Sequence, residues 1–352
     1  MNHFLKALGW ALLLTNILTA AQAAPKDTTD LPAIQSNLAV NSPLFSIART
    51  GKRLVAVGQR GHILVSEDGG QQWQQAKVPV STDLTAVHFP SPSQGWAVGH
   101  DGIILHTSDG GHSWVKQLDG RQAANLIVSY YEKSNQRNHP AVAAIVGEAK
   151  RMQTEGPDLP FLNVLFENEQ TGYVVGSFNL AFMTNDGGKS WTPISERIDN
   201  PKGYHLYGIG AADNDLYVAG ELGLLLKLDR ATDRFIAVAT PYKGTYFGVL
   251  AKPGLVMTYG LRGNAYRSND GGTSWQKVET NVQTGLNAAS ILDDGRIALV
   301  SQGGNVLVSA DDGQTFKRVP DIKPVPIFGI ASADKDHLAL VGLRGARVET
   351  LK

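Results

Sequence analysis

The chain has 352 residues, 42% apolar content, 38 glycines and no cysteine. Lys and Arg total 32 and so do Asp and Glu, so no bulk positive charge argues for nucleic acid. The lack of cysteine excludes disulfides, thiol catalysis and a lipidated amino-terminal cysteine.

The first elements are targeting signals. Met1 to Lys6 form a short basic region, Ala7 to Ala20 an apolar one, and Ala21-Gln22-Ala23 a small-residue cleavage pattern ahead of Ala24-Pro25. The apolar stretch is short for a membrane span, and its small-residue end reads as a secretory signal, residues 1–23, cleaved after Ala23. The expected location is periplasmic, with residues 24–352 forming one domain.

That domain is repetitive. One phrase recurs five times: SEDGGQQW (Ser66 to Trp73), TSDGGHSW (Thr107 to Trp114), TNDGGKSW (Thr184 to Trp191), SNDGGTSW (Ser268 to Trp275) and SADDGQTF (Ser309 to Phe316). Each reads [S/T]-x-D-x-G-x-x-[W/F], the Asp-box pattern of BNR-type repeats. The hydroxyl and the aspartate (Asp68, Asp109, Asp186, Asp270, Asp311) suit turn amides, and the glycines tolerate positive φ. The aromatic (Trp73, Trp114, Trp191, Trp275, Phe316) is expected to plug the blade and be largely buried. A fourth unit keeps only an aspartate and an aromatic, in KLDRATDRF (Lys227 to Phe235).

Seven apolar runs, five of them upstream of a box, end in G-x-x-G or a near variant, starting at positions 58, 99, 176, 220, 260, 301 and 342. Successive steps are 41, 77, 44, 40, 41 and 41 residues. A period near 41 with several short strands per unit predicts an all-β, seven-bladed β-propeller. Each blade reads as four strands, A to D from the axis outward. The seventh has no box and no strand D, which leaves an open edge. The stretch Pro32 to Val40 is expected to supply that strand, so that residues 32–40 close blade seven.

The 77-residue step holds an insertion, residues 117–158, between blades two and three. Arg121 to Lys133 and Ala141 to Gln153 are rich in helix formers, and Gly156-Pro157 and Pro160 stop the second run. A helical hairpin is predicted, either bracing the two blades or serving recognition. As a D–A connection it should lie on the face that carries the G-x-x-G turns, opposite the Asp boxes. Three of those turns carry Arg before the second Gly: Arg60, Arg262 and Arg344. His100, Phe178, Leu222 and Gly303 are read at that position in the other blades. Guanidiniums suit carboxylate capture and partner anchoring. The alternative is local pairing with acidic residues of the next blade. Arg60, His100, Arg262 and Arg344 are the candidate partner-binding residues.

Asp boxes, G-x-R-G turns, seven blades and an export signal together resemble the photosystem II stability/assembly factor family, over essentially the whole mature chain. The resemblance implies a non-enzymatic propeller that holds an integral membrane protein or membrane complex during assembly; a monomer without metal or cofactor is expected. In a non-photosynthetic host it implies an accessory to another inner-membrane assembly such as an exporter; in a photosynthetic one, a lumenal compartment. The helical insertion departs from the plain repeat.

Sialidases also carry Asp boxes, so a BNR-repeat glycoside hydrolase is the alternative. Such enzymes need an arginine triad, a Tyr–Glu nucleophile pair and an Asp acid/base. Their amino-terminal Arg-Ile-Pro is absent, and the nearest string is SERIDNP. No phosphate loop, EF-hand or histidine metal spacing is present.

Overall fold

A computed structural model describes residues 27–134 and 140–351. The predicted signal, residues 1–23, lies outside the described residues. The chain forms seven antiparallel sheets in sequence order, six of four strands and the last of three. Blade one shows the plan: Leu44–Thr50 (A), Arg53–Gly58 (B), Ile63–Ser66 (C) and Gln74–Gln75 (D) pair as neighbours in that order. Strands A of successive blades adjoin one another around the axis.

The core sits between blades. Among the described residues seven apolar clusters form, one at each junction. Val55 and Val57 of blade one, for example, meet Ala97 and Leu105 of blade two, all fully buried. Each sheet thus hides both faces against neighbours, which is how a chain too long for one core stays packed.

The five Asp boxes fold alike. In the second, Thr107 Oγ1 donates to Asp109 Oδ1 (2.8 Å), and the Gly111 and Ser113 amides donate to Thr107 Oγ1 and Asp109 Oδ1 (both 3.0 Å). Trp114 Nε1 then donates to Gly111 O at 2.9 Å. The box glycine also lets the turn lie flat on the preceding blade: a Cβ on Gly70, at φ +92°, would meet Val348 of blade seven at 2.7 Å. The aromatics differ in burial. Trp114 and Trp191 are 4% and 5% exposed, whereas Trp73, Trp275 and Phe316 are only half-buried. In the box-less fourth blade, Asp229 still accepts from the Ala231 amide (3.0 Å) and Phe235 is buried.

The expected outer strand from residues 32–40 does not form. Blade seven stops at three strands, Ile327–Ser332, His337–Gly342 and Gly345–Thr350. The amino-terminal segment is a strap whose backbone groups are engaged elsewhere. Ser81 N donates to Thr28 O (2.8 Å), and Ala33 N to Val78 O (3.0 Å) beside the outer strand of blade one. Only its end reaches blade seven, where buried Ala39 and half-buried Val40 pack with Ala346 and Val348. Trp73 therefore lacks the cover that a fourth strand of blade seven would give.

The insertion is a helical hairpin, α1 (Gly120–Lys133) and α2 (Pro140–Glu155). Strand D of blade two runs on through Leu118, so the insertion proper follows it. Asp119 caps α1, accepting from Gln122 N (3.1 Å) while its own amide donates to Gln122 Oε1 (2.9 Å); this capping box fixes the exit from blade two. Ala123, Ala124, Ile127 and Tyr131 of α1 are buried in the cluster that holds Phe161, Phe182 and Trp191 of blade three. α1 is a brace.

Candidate partner-docking face

The B–C turns and the D–A connectors occupy one face. The connectors pass directly over the turns and crowd their second glycine, whose place Asn179 takes in blade three at φ 63°: a Cβ on Gly61 or Gly263 would meet Val80 O or Val282 O at 2.2 and 1.8 Å. Blade seven repeats this with Val40 O over Gly345, at 1.8 Å. The residue before the glycine must then face outward.

In blades one to five that residue is held left-handed: Arg60 (φ 56°), Asp101 (56°), Phe178 (49°), Leu222 (51°) and Arg262 (57°). The position in blade two is thus Asp101, not the expected His100. His100 sits one residue earlier and is exposed. The Asp101 carboxylate is occupied, accepting from Thr82 Oγ1 at 2.6 Å and Thr28 Oγ1 at 3.1 Å. Blades six and seven turn differently, and Gly303 and Arg344 are not left-handed. Each L-residue in this conformation costs about 1–2 kcal/mol relative to right-handed backbone.

Arg60, Arg262 and Arg344 are exposed. Among the described residues none of the three guanidiniums is ion-paired, so local pairing with the next blade is not found. Only the Arg60 main chain is tethered, its amide donating to Asp83 Oδ1 at 2.8 Å. Between the arginines stand exposed apolar side chains on the same turns: Phe178 (60%), Leu222 (57%), Leu261 (39%) and Leu343 (50%).

A feature missed in sequence lies just inside this rim. In all seven blades strand A carries a bulge after its first residue, opposite the start of the turn. The unpaired residues are Phe45, Thr85, Leu162, Tyr207, Phe247, Asn287 and Phe328, all half-buried. Bulges re-aim side chains. The polar two staple the next blade, Thr85 Oγ1 donating to Phe161 O (2.7 Å) and Asn287 Nδ2 to Ile327 O (2.7 Å). The aromatics meet across blades, Phe45 with Phe328 at 6.0 Å and Tyr207 with Phe247 at 5.8 Å. The signal was available, since four of the seven strand A segments open with an apolar or aromatic residue followed by Phe or Tyr.

A Tyr–Glu pair does occur, Tyr131 donating to Glu196, but beneath α1 rather than in the channel. Tyr131 is 1% exposed, and burial followed by the Glu196 charge pushes its hydroxyl up, away from a nucleophilic phenolate.

The fold and this face define the class, a seven-bladed propeller of BNR type. The family described as photosynthesis system II assembly factor YCF48 matches residues 27–124 and 148–320, and the chain belongs to it. A photosystem II assembly lipoprotein Ycf48 from Synechococcus sp. (strain CC9902) is 26% identical over 162 residues, 45% of this chain; the chain spans about half, 48%, of that curated relative. Among solved structures, YCF48 bound to D1 peptide aligns with a TM-score of 0.63 at 17% identity, covering 92% of this chain and 99% of that one. YCF48 from Cyanidioschyzon merolae gives 0.61 at 16%, covering 88% and 96%. The WD40 propeller of Doa1 gives 0.63 at 10%, covering 92% and 96%, so these likenesses speak to fold.

Proposed function

We propose that this protein is an exported, non-enzymatic assembly factor that holds an extracytoplasmic segment of a membrane-protein partner on its turn face. Arg60, Arg262 and Arg344 capture acidic groups of that segment, His100 lies at the rim, and the aromatic channel mouth receives apolar side chains. The observation that carries this reading is the coincidence of three unpaired, exposed guanidiniums with exposed Phe178, Leu222, Leu261 and Leu343 on one face. Exposed apolar side chains beside Arg, a residue enriched at interfaces, mark a protein-interaction surface. The relatives support it by name: one is an assembly lipoprotein and another was solved with a peptide of D1. The export pattern of residues 1–23 accords with an extracytoplasmic, periplasmic place of work.

The test is affinity purification of tagged protein from solubilised membranes, with the triple Arg60→Ala, Arg262→Ala, Arg344→Ala variant alongside. One dominant integral-membrane partner, lost in a variant that folds normally, is the expected result. Recovery undiminished by the triple change would move the site off this face. Turnover of a glycoside by the purified protein would favour the hydrolase.

A further inference from the structure

Six blades carry four strands and blade seven carries three, so its strand C, Gly345–Thr350, is a sheet edge. In blade one Ile63, opposite Val57, turns its peptide outward, and its carbonyl accepts from Ala76 N at 2.8 Å. Ala346 holds the same place opposite Val341 in blade seven. The alternation of an antiparallel ladder then points the N–H and C=O groups of Ala346 and Val348 outward. Among the described residues neither backbone is hydrogen-bonded on that side.

The vacancy has a second wall of the same kind. Between blades one and two, Lys77 follows strand D; its amide donates to His112 O and its carbonyl accepts from Trp114 N, both at 3.0 Å. An outer segment is thus bonded to its own strand C and to the next Asp box. Beside blade seven the next box is that of blade one. Its Gln71 carbonyl and Trp73 amide, the counterparts of His112 O and Trp114 N, make no hydrogen bond among the described residues.

The space is also lined for an apolar occupant. Leu64 and Trp73 of blade one and Ala39 and Val40 of the strap bound a cavity of about 470 Å³. Ala346 and Val348 pack in the same cluster. The strap alongside leaves Ile34 and Leu38 open, 79% and 69% exposed. Unpaired peptide groups beside exposed apolar side chains are what strand addition uses.

The chemistry of the occupant is written in the outer strands that are present. Four of them end in, or run straight into, a buried apolar residue that shares a cluster with the next aromatic plug: Ala76 with Trp114, Leu118 with Trp191, Ile194 with Phe235 and Val278 with Phe316. Trp73 has no such partner. A second copy is a poor occupant, because its own strand C lies half-buried between strap and Asp box, and two recessed edges cannot meet. A free extended segment can enter.

We propose that blade seven is a strand acceptor. An extended segment of a partner polypeptide, polar residues leading to Val, Ile or Leu, adds antiparallel to Gly345–Thr350 as the missing fourth strand. Its peptide groups bond to Ala346 and Val348 on one side and to Gln71 and Trp73 on the other. Its apolar residue covers Trp73, flanked by Ile34 and Leu38. This surface is on the outer rim of the ring and is separate from the turn face.

The probes are two synthetic peptides copying outer strands of this chain, residues 113–119 and 275–282, titrated into the full chain by calorimetry with amide exchange read in parallel. Saturable binding is expected, with slower exchange at Ala346, Val348 and Trp73. A 275–282 peptide carrying Val278→Asp should bind about tenfold more weakly or worse. The unaltered peptides should lose as much on Val348→Pro, which removes an outward N–H and leaves the ladder to strand B. The same loss is expected on Ile34→Glu/Leu38→Glu, which changes exposed side chains only and stays readable if Val348→Pro fails to fold. Arg60→Ala/Arg262→Ala/Arg344→Ala should bind the peptides unchanged, so this proposal and the docking role fail separately. No binding by either peptide, or binding that leaves exchange at Ala346 and Val348 unaltered, would overturn it. So would protection of those two amides in the free monomer, which would make the chain its own occupant. A dimer in sedimentation that Val348→Pro abolishes would make the occupant a second copy and overturn it too.

Discussion

The guanidinium of Arg121 spans both carboxylate oxygens of Asp30, at 2.8 and 2.9 Å, and ties the first turn of α1 to the amino-terminal strap. Lys116 Nζ joins them, 3.0 Å from both Asp30 Oδ1 and Asp119 Oδ2. A bidentate pair of this kind adds direction as well as attraction. Strap, blade two and hairpin therefore meet at one charge cluster, with Asp30 and Arg121 exposed, Lys116 half-buried and Asp119 buried.

Asp30→Asn should loosen the strap locally and leave the propeller folded. The expected result is faster amide exchange at Ala33 and Ser81, whose N–H groups bond across to Val78 and Thr28, with little change in Tm. The Asp30–Arg121 pair is exposed, and exposed pairs contribute little to global stability. Unchanged exchange would mean that the backbone bonds alone hold the strap.

Stability should depend on pH in two windows. His88 accepts from the Phe166 amide at Nδ1 (3.2 Å), and burial pushes its imidazole from 6.5 down to about 4. The unfolded chain therefore takes up this proton first, so stability falls as pH drops from about 6.5 to about 4. His88→Gln should flatten that limb of a urea-midpoint profile.

The second window belongs to the Asp boxes. The Thr315 hydroxyl and amide, then the Ser309 hydroxyl, hold the Asp311 carboxyl at about 2. Burial raises the Asp109 carboxyl, but hydrogen bonds from Ser113 and Thr107 bring it to about 2 as well. Both lie below the ordinary 3.8, so stability present above pH ~4 is lost as pH falls towards 2. Asp109→Asn should weaken the dependence below pH 4 without touching the His88 limb.

The plugs should not be equivalent. Trp114 is 4% exposed and its indole N–H is satisfied, so Trp114→Ala should cost about 3–5 kcal/mol in equilibrium unfolding. Trp73 is half-buried at the blade with no fourth strand before it, and Trp73→Ala should cost clearly less. Equal losses would show that the open junction is as tightly packed as the others.

Blade count, Asp-box chemistry, hairpin and turn face were legible because each is written locally: apolar runs, turn glycines and a fixed period. What was not legible depends on partners distant in sequence. Residues 32–40 have the apolar content of an edge strand, but the strap's bonds to blade one leave them no role as strand D of blade seven. His100 lies one residue before the outward position: the left-handed turn places Asp101 there, and Thr28 and Thr82, distant in sequence, donate to its carboxylate.

The left-handed turns give a direct test of what the face is for. Leu222 is 57% exposed at φ 51°, so its side chain buries little while its backbone carries the cost of the conformation. Leu222→Gly relieves about 1–2 kcal/mol of that cost and gives back about 0.4–1 kcal/mol through the freer unfolded chain. The net change should be neutral to slightly stabilising in chemical unfolding. Leu222→Val, β-branched at a left-handed position, should destabilise by more than about 1 kcal/mol. If Leu222→Gly instead destabilised the protein, the side chain would be serving the fold. If it leaves stability intact yet weakens capture of the partner, the strain is retained for what the turn presents outward, and the same argument extends to Phe178, Arg60 and Arg262.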